Sequence, residues 1–206
     1  MLYEYLLERY QPYEVIIASN IDLDICGNTL RPMLKELCDQ GKLCHYDTGI
    51  YYLPGKTKLK GLVPIAPSIA AKCKYIEYHG NIEGYFSGYT FANQIGLSTQ
   101  VPFRQEIVTN ASSAKVREVE IKGQRFLLRK PRAKVTKENY KVLRFLDLLL
   151  DIEKYIDEFT QELLSRLLKL AKEEGITKQL IDQYICLYPD RIFKNLYLTG
   201  VVYAIT

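Results

Sequence analysis

The chain has no tryptophan, only two methionines and two histidines, and an odd five cysteines in 206 residues. His45 and His79 cannot build a histidine-rich metal centre. A Cys–His nucleophile pair would have to use one of them, and neither lies in a recognisable catalytic motif. Cys26, Cys38, Cys44, Cys73 and Cys186 lack the paired spacing of a disulfide framework or a zinc site, so they are expected to be reduced and mostly buried. Long apolar runs are missing too: Leu148-Leu149-Leu150 and its neighbours fall far short of the about 18 residues a bilayer-spanning helix needs. Met1-Leu2-Tyr3-Glu4 has none of the basic, apolar and small-residue regions of a secretion signal, and a cytoplasmic location without membrane contact is expected. No P-loop, GxGxxG, GxSxG or HExxH string occurs. Asp22-x-Asp24 has the carboxylate spacing with which nucleotidyltransferases hold magnesium. Such carboxylates normally follow a Gly-Ser turn on a strand, whereas these fall in a turn between helical segments. No enzyme activity, cofactor or metal is expected.

What is present suits a globular protein, with 48% hydrophobic and 25% charged residues. The net charge of +4 is unevenly spread. Residues 1 to 53 hold 4 basic and 8 acidic side chains, net −4, and residues 54 to 114 hold 6 and 3, net +3. Residues 115 to 144 hold 11 and 3, net +8, and residues 145 to 206 hold 7 and 10, net −3. The basic stretch comprises Lys115, Arg117, Lys122, Arg125, Arg129, Lys130, Arg132, Lys134, Lys137, Lys141 and Arg144. Clustering of this kind is what a polyanion-binding surface requires, and it is also what a solvated face looks like.

Leu2, Leu6 and Tyr10 recur at a helical interval until Pro12. The run Glu14 to Ser19 fits a strand or a buried helix. After a turn at Asp22 to Gly27, Asn28 is expected to cap a helix with Leu30, Leu34 and Leu37 on one stripe and Pro32 in its first turn, ended by Gln40-Gly41. Lys42 to Tyr46 and Ile50 to Leu53, joined by Asp47-Thr48-Gly49, read as a bulged hairpin. Helix, helix, turn, capped helix and hairpin is the order of a winged helix-turn-helix.

Beyond a basic linker, Pro67-Ser68 opens a helix through about Tyr78 with Ile69, Cys73 and Ile76 on one face. Gly84 and Gly88 bracket Tyr85, Phe86 and Ser87, which read as a tight turn packing aromatics, and Tyr89 to Ile95 is a short helix. Strands are expected at Glu106 to Thr109, Lys115 to Ile121 and Arg125 to Arg129, with Lys122-Gly123 as a turn. Thr136, with Glu138 helping, is expected to cap a helix carrying Val142, Phe145, Leu146 and Leu149. Phe159 to Ala171 and Thr177 to Leu187 give two more. Tyr75, Tyr78, Tyr85 and Tyr89, among 17 tyrosines, suit either core packing or a stacking platform for single-stranded RNA. The expected class is α+β, with a winged helix-turn-helix domain at 1–54, a linker at 55–66 and, at 67–206, an α+β domain in which helices cover a small sheet.

The string TLRPMLKELCDQGKLCHYDTGIYYLP, Thr29 to Pro54, resembles the winged-helix end of the AbiEi-type antitoxins of type IV toxin–antitoxin systems. GYFSGYTFANQIGLSTQVP (Gly84 to Pro102), EIVTN, KVREVEIKGQRFLLRKPRAKVTKEN and VLRFLDLL are similar to the second domain of that family, a more specific combination. The resemblance covers roughly residues 15 to 150. It implies an antitoxin and transcriptional autoregulator that binds inverted repeats in its own promoter, as a homodimer where half-sites repeat. It also implies that the second domain counters a nucleotidyltransferase-like toxin, directly or through the toxin's RNA target.

For such a protein the residues expected to reach duplex DNA are Asn28, Thr29, Arg31 and Lys35 on the recognition helix. His45, Tyr46 and Thr48 around the wing and Lys56, Lys58 and Lys60 in the linker complete the set. The antitoxin or polyanion surface is expected at Lys115, Arg117, Lys122, Arg125, Arg129, Lys130, Arg132 and Lys134. Acidic Glu36, Asp39 and Asp47 stand against the first assignment. A protein-interaction module whose winged helix no longer binds DNA, or a plain repressor without antitoxin activity, fits the same pattern.

Overall fold

The periodic apolar residues at the N-terminus build α1 (Leu2–Arg9), and Leu2, Leu6 and Tyr10 are all buried. The computed structural model describes residues 1–24, 27–55 and 65–205, with the backbone alone at Gly27 and Asn28. The chain is a mixed α+β protein that falls into two units, Met1–Lys74 with Ile121–Gln124, and Tyr75–Glu120 with Arg125–Thr206.

In the first unit, α1 is followed by β1 (Ile16–Ile17), a single 3₁₀ turn at Ala18–Asn20, and α2 (Gly27–Asp39). The expected second helix is therefore a strand and one 3₁₀ turn. Buried on both sides, Ile16 and Ile17 pair with the later hairpin, and pairing satisfies their backbone where a short isolated helix would be marginal. Because α2 begins at Gly27, Asn28 lies inside it and Pro32 falls in its second turn, where one i→i−4 bond is forgone. Leu34 is fully buried, Leu30 and Leu37 partly. The helix ends in a Schellman motif, with the Gly41 amide donating to the Cys38 carbonyl and the Lys42 amide to the Leu37 carbonyl. β2 (Cys44–Asp47) and β3 (Ile50–Tyr52) form the expected hairpin, with a bulge between His45 and Asp47, and β3 lies between β1 and β2 in an antiparallel sheet. The helix expected through Tyr78 stops earlier: α3 (Pro67–Tyr75) ends where a ribbon begins. Up to Lys74 it counts with the first unit, where the Lys74 ammonium donates to the Thr48 carbonyl at 2.8 Å, so the boundary expected at residue 67 moves to residue 74. Its buried face is Ala70 and Ala71, whereas Ile69 is 51% exposed.

The second unit opens with β4 (Glu77–Tyr78) and β5 (Asn81–Ile82), joined through His79 and Gly80, both at positive φ as a type I′ turn demands. The segment read as a tight aromatic turn is a strand, β6 (Gly84–Ser87). A Cβ at Gly84 would collide with the carbonyl oxygens of Tyr75 and Val108, so glycine there serves close strand approach. After α4 (Gly88–Gln94) come β7 (Gln105–Thr109), β8 (Val116–Ile121) and β9 (Gln124–Arg129). The sheet order is β6-β7-β9-β8, with β6 and β7 antiparallel and β7 and β9 parallel. Lys122 and Gly123, both at positive φ, turn β8 into β9 as expected. β8 is an edge strand, mostly exposed, which accounts for its imperfect alternation.

Five helices follow. α5 (Tyr140–Leu150) starts four residues after Thr136, with Asn139 at its N-cap position; the Asn139 side chain bonds none of the helix's first amides and instead accepts from the Thr136 amide and donates to the Lys134 carbonyl. The expected stripe of Val142, Phe145, Leu146 and Leu149 is fully buried. α6 (Gln161–Glu174) and α7 (Lys178–Ile185) are capped by Thr160 and Thr177, each accepting from the amide three residues on. α8 (Arg191–Leu198) and α9 (Val201–Ala204) complete the chain. Their buried residues join those of α4 to α7 in one core. Among the described residues, no helix is long and apolar enough to cross a membrane. Among the described residues the cysteines form no disulfide and are less buried than expected: Cys38, Cys44 and Cys73 are partly exposed and Cys186 is exposed, while Cys26 lies outside the described residues.

Candidate nucleic-acid interface

α2 is amphipathic. Leu34 holds one side against the first unit's core, and Thr29, Arg31 and Lys35 stand exposed along the helix. The hairpin adds His45, exposed on β2, whose ring meets Tyr51 edge-on at 5.2 Å between centroids. Burial and the nearby Cys38 thiol raise the Tyr51 hydroxyl's pKa, while Arg31 works to lower it. Arg31, His45 and Tyr51 thus share one neighbourhood. Tyr51 was not singled out from the sequence. The period-2 pattern of the hairpin identifies its strand, but only pairing reveals that Tyr51 lies opposite His45.

Tyr46 is not on this surface. It is 4% exposed, and its hydroxyl donates to the Ile65 carbonyl at 3.0 Å, so it is a core residue with a satisfied polar tip. The alternation of the strand explains this, since His45 and Tyr46 point to opposite faces. Thr48 is exposed at the turn. Asp47, which threatened to repel phosphate, is tied up. Its Oδ1 accepts from the Thr48 amide at 2.6 Å and its Oδ2 from the Lys122 amide at 2.9 Å. Burial works to raise its pKa, but these amides and the ammonium groups of Lys74 and Lys122 outweigh it and hold the carboxyl below its usual value. Lys56, Lys58 and Lys60, and the side chain of Asn28, lie outside the described residues.

In the second unit the basic residues divide into two kinds. Arg125 pairs with Glu118 at 3.6 Å, Arg129 with Glu106 at 3.5 Å and Arg132 with Asp147 at 3.9 Å, and Arg144 pairs with Glu174. Lys115, Arg117, Lys130 and Lys134 are exposed. Lys122 counts with the first unit, its ammonium 5.5 Å from the Tyr46 ring centroid. The four tyrosines of the candidate RNA platform are used for packing and local contacts. Tyr75 and Tyr85 are buried, Tyr89 donates to the Lys154 carbonyl at 2.8 Å and meets Tyr155 edge-on, and Tyr78 tilts against His79. Asp22 and Asp24 are exposed, and among the described residues no three His, Cys, Asp or Glu side chains cluster as metal ligands.

The architecture defines a mixed α+β protein with an exposed polar helix in one unit and a cationic sheet end in the other. The chain belongs to DUF6088, a family of unknown function, whose model matches residues 13–176. The match takes in α2, the hairpin and the whole basic stretch, and it ends before α7. No curated protein and no solved structure matches the chain.

Proposed function

We propose that this protein is a cytoplasmic, non-enzymatic DNA-binding antitoxin of the type IV kind that represses its own operon and counters a nucleotidyltransferase-like toxin. In this reading the first unit is a winged helix-turn-helix. α2 enters the major groove of inverted repeats as part of a homodimer, and the β2–β3 hairpin serves as the wing. The observation that carries it is the exposed polar side of α2, where Thr29, Arg31 and Lys35 are free of the core and Arg31 is near enough to Tyr51, which lies opposite His45, to act on its hydroxyl. Arg31 is the guanine reader, since a guanidinium can donate twice to one base edge. Lys35, His45 and Thr48 steady the phosphates. The antitoxin half rests on the AbiEi-type resemblance and on the cations of the second unit, which suit either RNA or an acidic toxin surface.

Electrophoretic shift with the DNA upstream of its own gene, at two salt concentrations, tests the first half. Contact with six or more phosphates should cost about a thousandfold in affinity from low to physiological salt. Binding that ignores salt, or no preference for the upstream DNA over an unrelated duplex, would end the DNA-binding reading. Co-expression with the product of the neighbouring gene tests the second half, through rescue of growth.

One observation favours a second reading, a protein-interaction module without DNA binding. Phe193, Tyr197, Val202 and Tyr203 leave an exposed apolar face on α8 and α9, with Tyr203 73% exposed. A stable complex with the neighbouring gene product, in a chain that fails the shift assay, would support it.

A further inference from the structure

At one end of the second unit's sheet, Lys115, Arg129, Lys130 and Arg132 surround a cavity of about 130 Å³ that Val108 and Asp147 also line. The backbone gathers them. Val108 on β7 pairs with Arg129 on β9, and the Lys130 amide donates to the Lys115 carbonyl at 3.2 Å. Two short segments, well separated in sequence, therefore deliver four cations to one concavity.

The site is built as well as charged. The Arg132 guanidinium lies 4.8 Å from the Tyr188 ring centroid and donates to the Leu187 carbonyl at 3.3 Å. Its Nε is 3.9 Å from Asp147 Oδ1, too long for a hydrogen bond. Arg129 reaches Glu106 only at 3.5 Å. A guanidinium carries five N–H donors, so these contacts orient both groups and leave donors over. Asp147, with its side chain 10% exposed, accepts from the Tyr85 hydroxyl at 2.8 Å and is the only carboxylate in the lining. Four cations against Asp147 in the lining and Glu106 beside Arg129 leave net +2 around the cavity.

Forked guanidiniums flanked by ammonium groups match the several oxygens of a phosphate. The cavity has room for about four waters at about 30 Å³ each, which suits a phosphate group and excludes the sugars on both sides of an internal phosphodiester. We propose that this pocket binds the terminal phosphate of a phosphomonoester, carried on the end of a single-stranded nucleic acid or on a free nucleotide. The proposal deepens the polyanion reading of the second unit and rests on it.

The test uses the full chain and fluorescence anisotropy with a short single-stranded RNA bearing a 5′-phosphate, beside the same RNA with a 5′-hydroxyl. The phosphorylated strand should bind at least about tenfold more tightly. That advantage should vanish in Lys115→Gln and Lys130→Gln, both at exposed positions that leave the core intact. Arg117→Gln, outside the pocket, should weaken both strands alike and preserve the ratio. Adenosine monophosphate and inorganic phosphate are added as competitors. Displacement of the labelled strand by the mononucleotide at equal concentration assigns the pocket to free nucleotides. Strand preference that resists both competitors assigns it to strand ends. Equal, salt-sensitive binding of the two RNAs would overturn the pocket and leave the polyanion surface standing, and binding of neither would remove both.

Discussion

In the first unit Arg31 and Lys35 project from a helix in an acidic stretch of sequence, whereas in the second Arg125, Arg129, Arg132 and Arg144 come from the most basic stretch and each lies beside a carboxylate. Three of those carboxylates, Glu106, Asp147 and Glu174, lie outside the thirty basic residues. The thirty-residue count therefore overstates how much positive charge is available there. The first unit errs the other way, because Asp47 faces two backbone amides and Glu36 accepts from Gln40, which satisfies part of its negative charge locally. Charge per segment identifies where cations are made, and the tertiary partners decide which remain available. What remains available in the second unit is concentrated at the sheet end around Lys115 and Lys130, and in the first at the front of α2.

The contrast breaks most severely if the second unit's sheet is loosened. Phe126 on β9 is fully buried directly before the strand end that carries Arg129. Phe126→Ala should cost about 3–5 kcal/mol in urea unfolding. It should also lower the RNA affinity, while the DNA shift of any protein that stays folded persists. Equal loss of both activities in folded protein would contradict the separation of roles. Next in size is Arg31→Ala, expected to relax sequence preference by about 1–3 kcal/mol, set against Lys35→Ala, which should weaken all duplexes alike. Unchanged affinity and preference in Arg31→Ala would remove α2 from the DNA-binding account.

The sequence was most legible where one period dominates. The stripes of α1, α2 and α5 and the Lys122-Gly123 turn all follow from spacing and turn chemistry. It was least legible in short pieces whose state depends on a distant partner. Ile16-Ile17 is a strand because β3 lies beside it, and Gly84 to Ser87 is a strand because β7 pairs with it. Thr136 looked like a cap because a serine or threonine followed by a glutamate suggests one. The helix begins after Asn139 instead, and the Asn139 side chain, without capping the helix, holds the preceding turn by bridging the Thr136 amide and the Lys134 carbonyl. Of the candidate sites, exposed helix positions such as Arg31 could be read from periodicity. The pairing of Tyr51 with His45, and the meeting of Asp147 with Lys115 and Lys130, could not, since they depend on register and on a helix packed across the sheet.

Tyr46 sharpens the comparison at a finer scale. Tyr46→Phe removes only the hydroxyl that donates to the Ile65 carbonyl. The expected outcome is a loss of about 1 kcal/mol in stability with DNA affinity unchanged once the protein is folded. A drop in affinity without a drop in stability would return Tyr46 to the interface.

The smallest expected effect concerns Asp147. Burial raises its pKa, opposed by the Tyr85 hydroxyl and by Arg129 and Arg132, and Tyr188 also faces it. The folded protein thus holds this proton more tightly than the unfolded chain does. The group favours folding below the ordinary carboxylate range, and that contribution is lost as pH rises through the raised value. Asp147→Asn keeps an acceptor for Tyr85 and removes the charge. The variant should melt slightly above the parent near neutral pH and converge with it in acid, where the parent's carboxyl is protonated. Thermal melts of both proteins from about pH 4 to about pH 8 read this directly. A variant that melts lower at neutral pH would mean that the four surrounding cations need the carboxylate more than burial penalises it, and the pocket would then be closer to charge balance than a phosphate site requires.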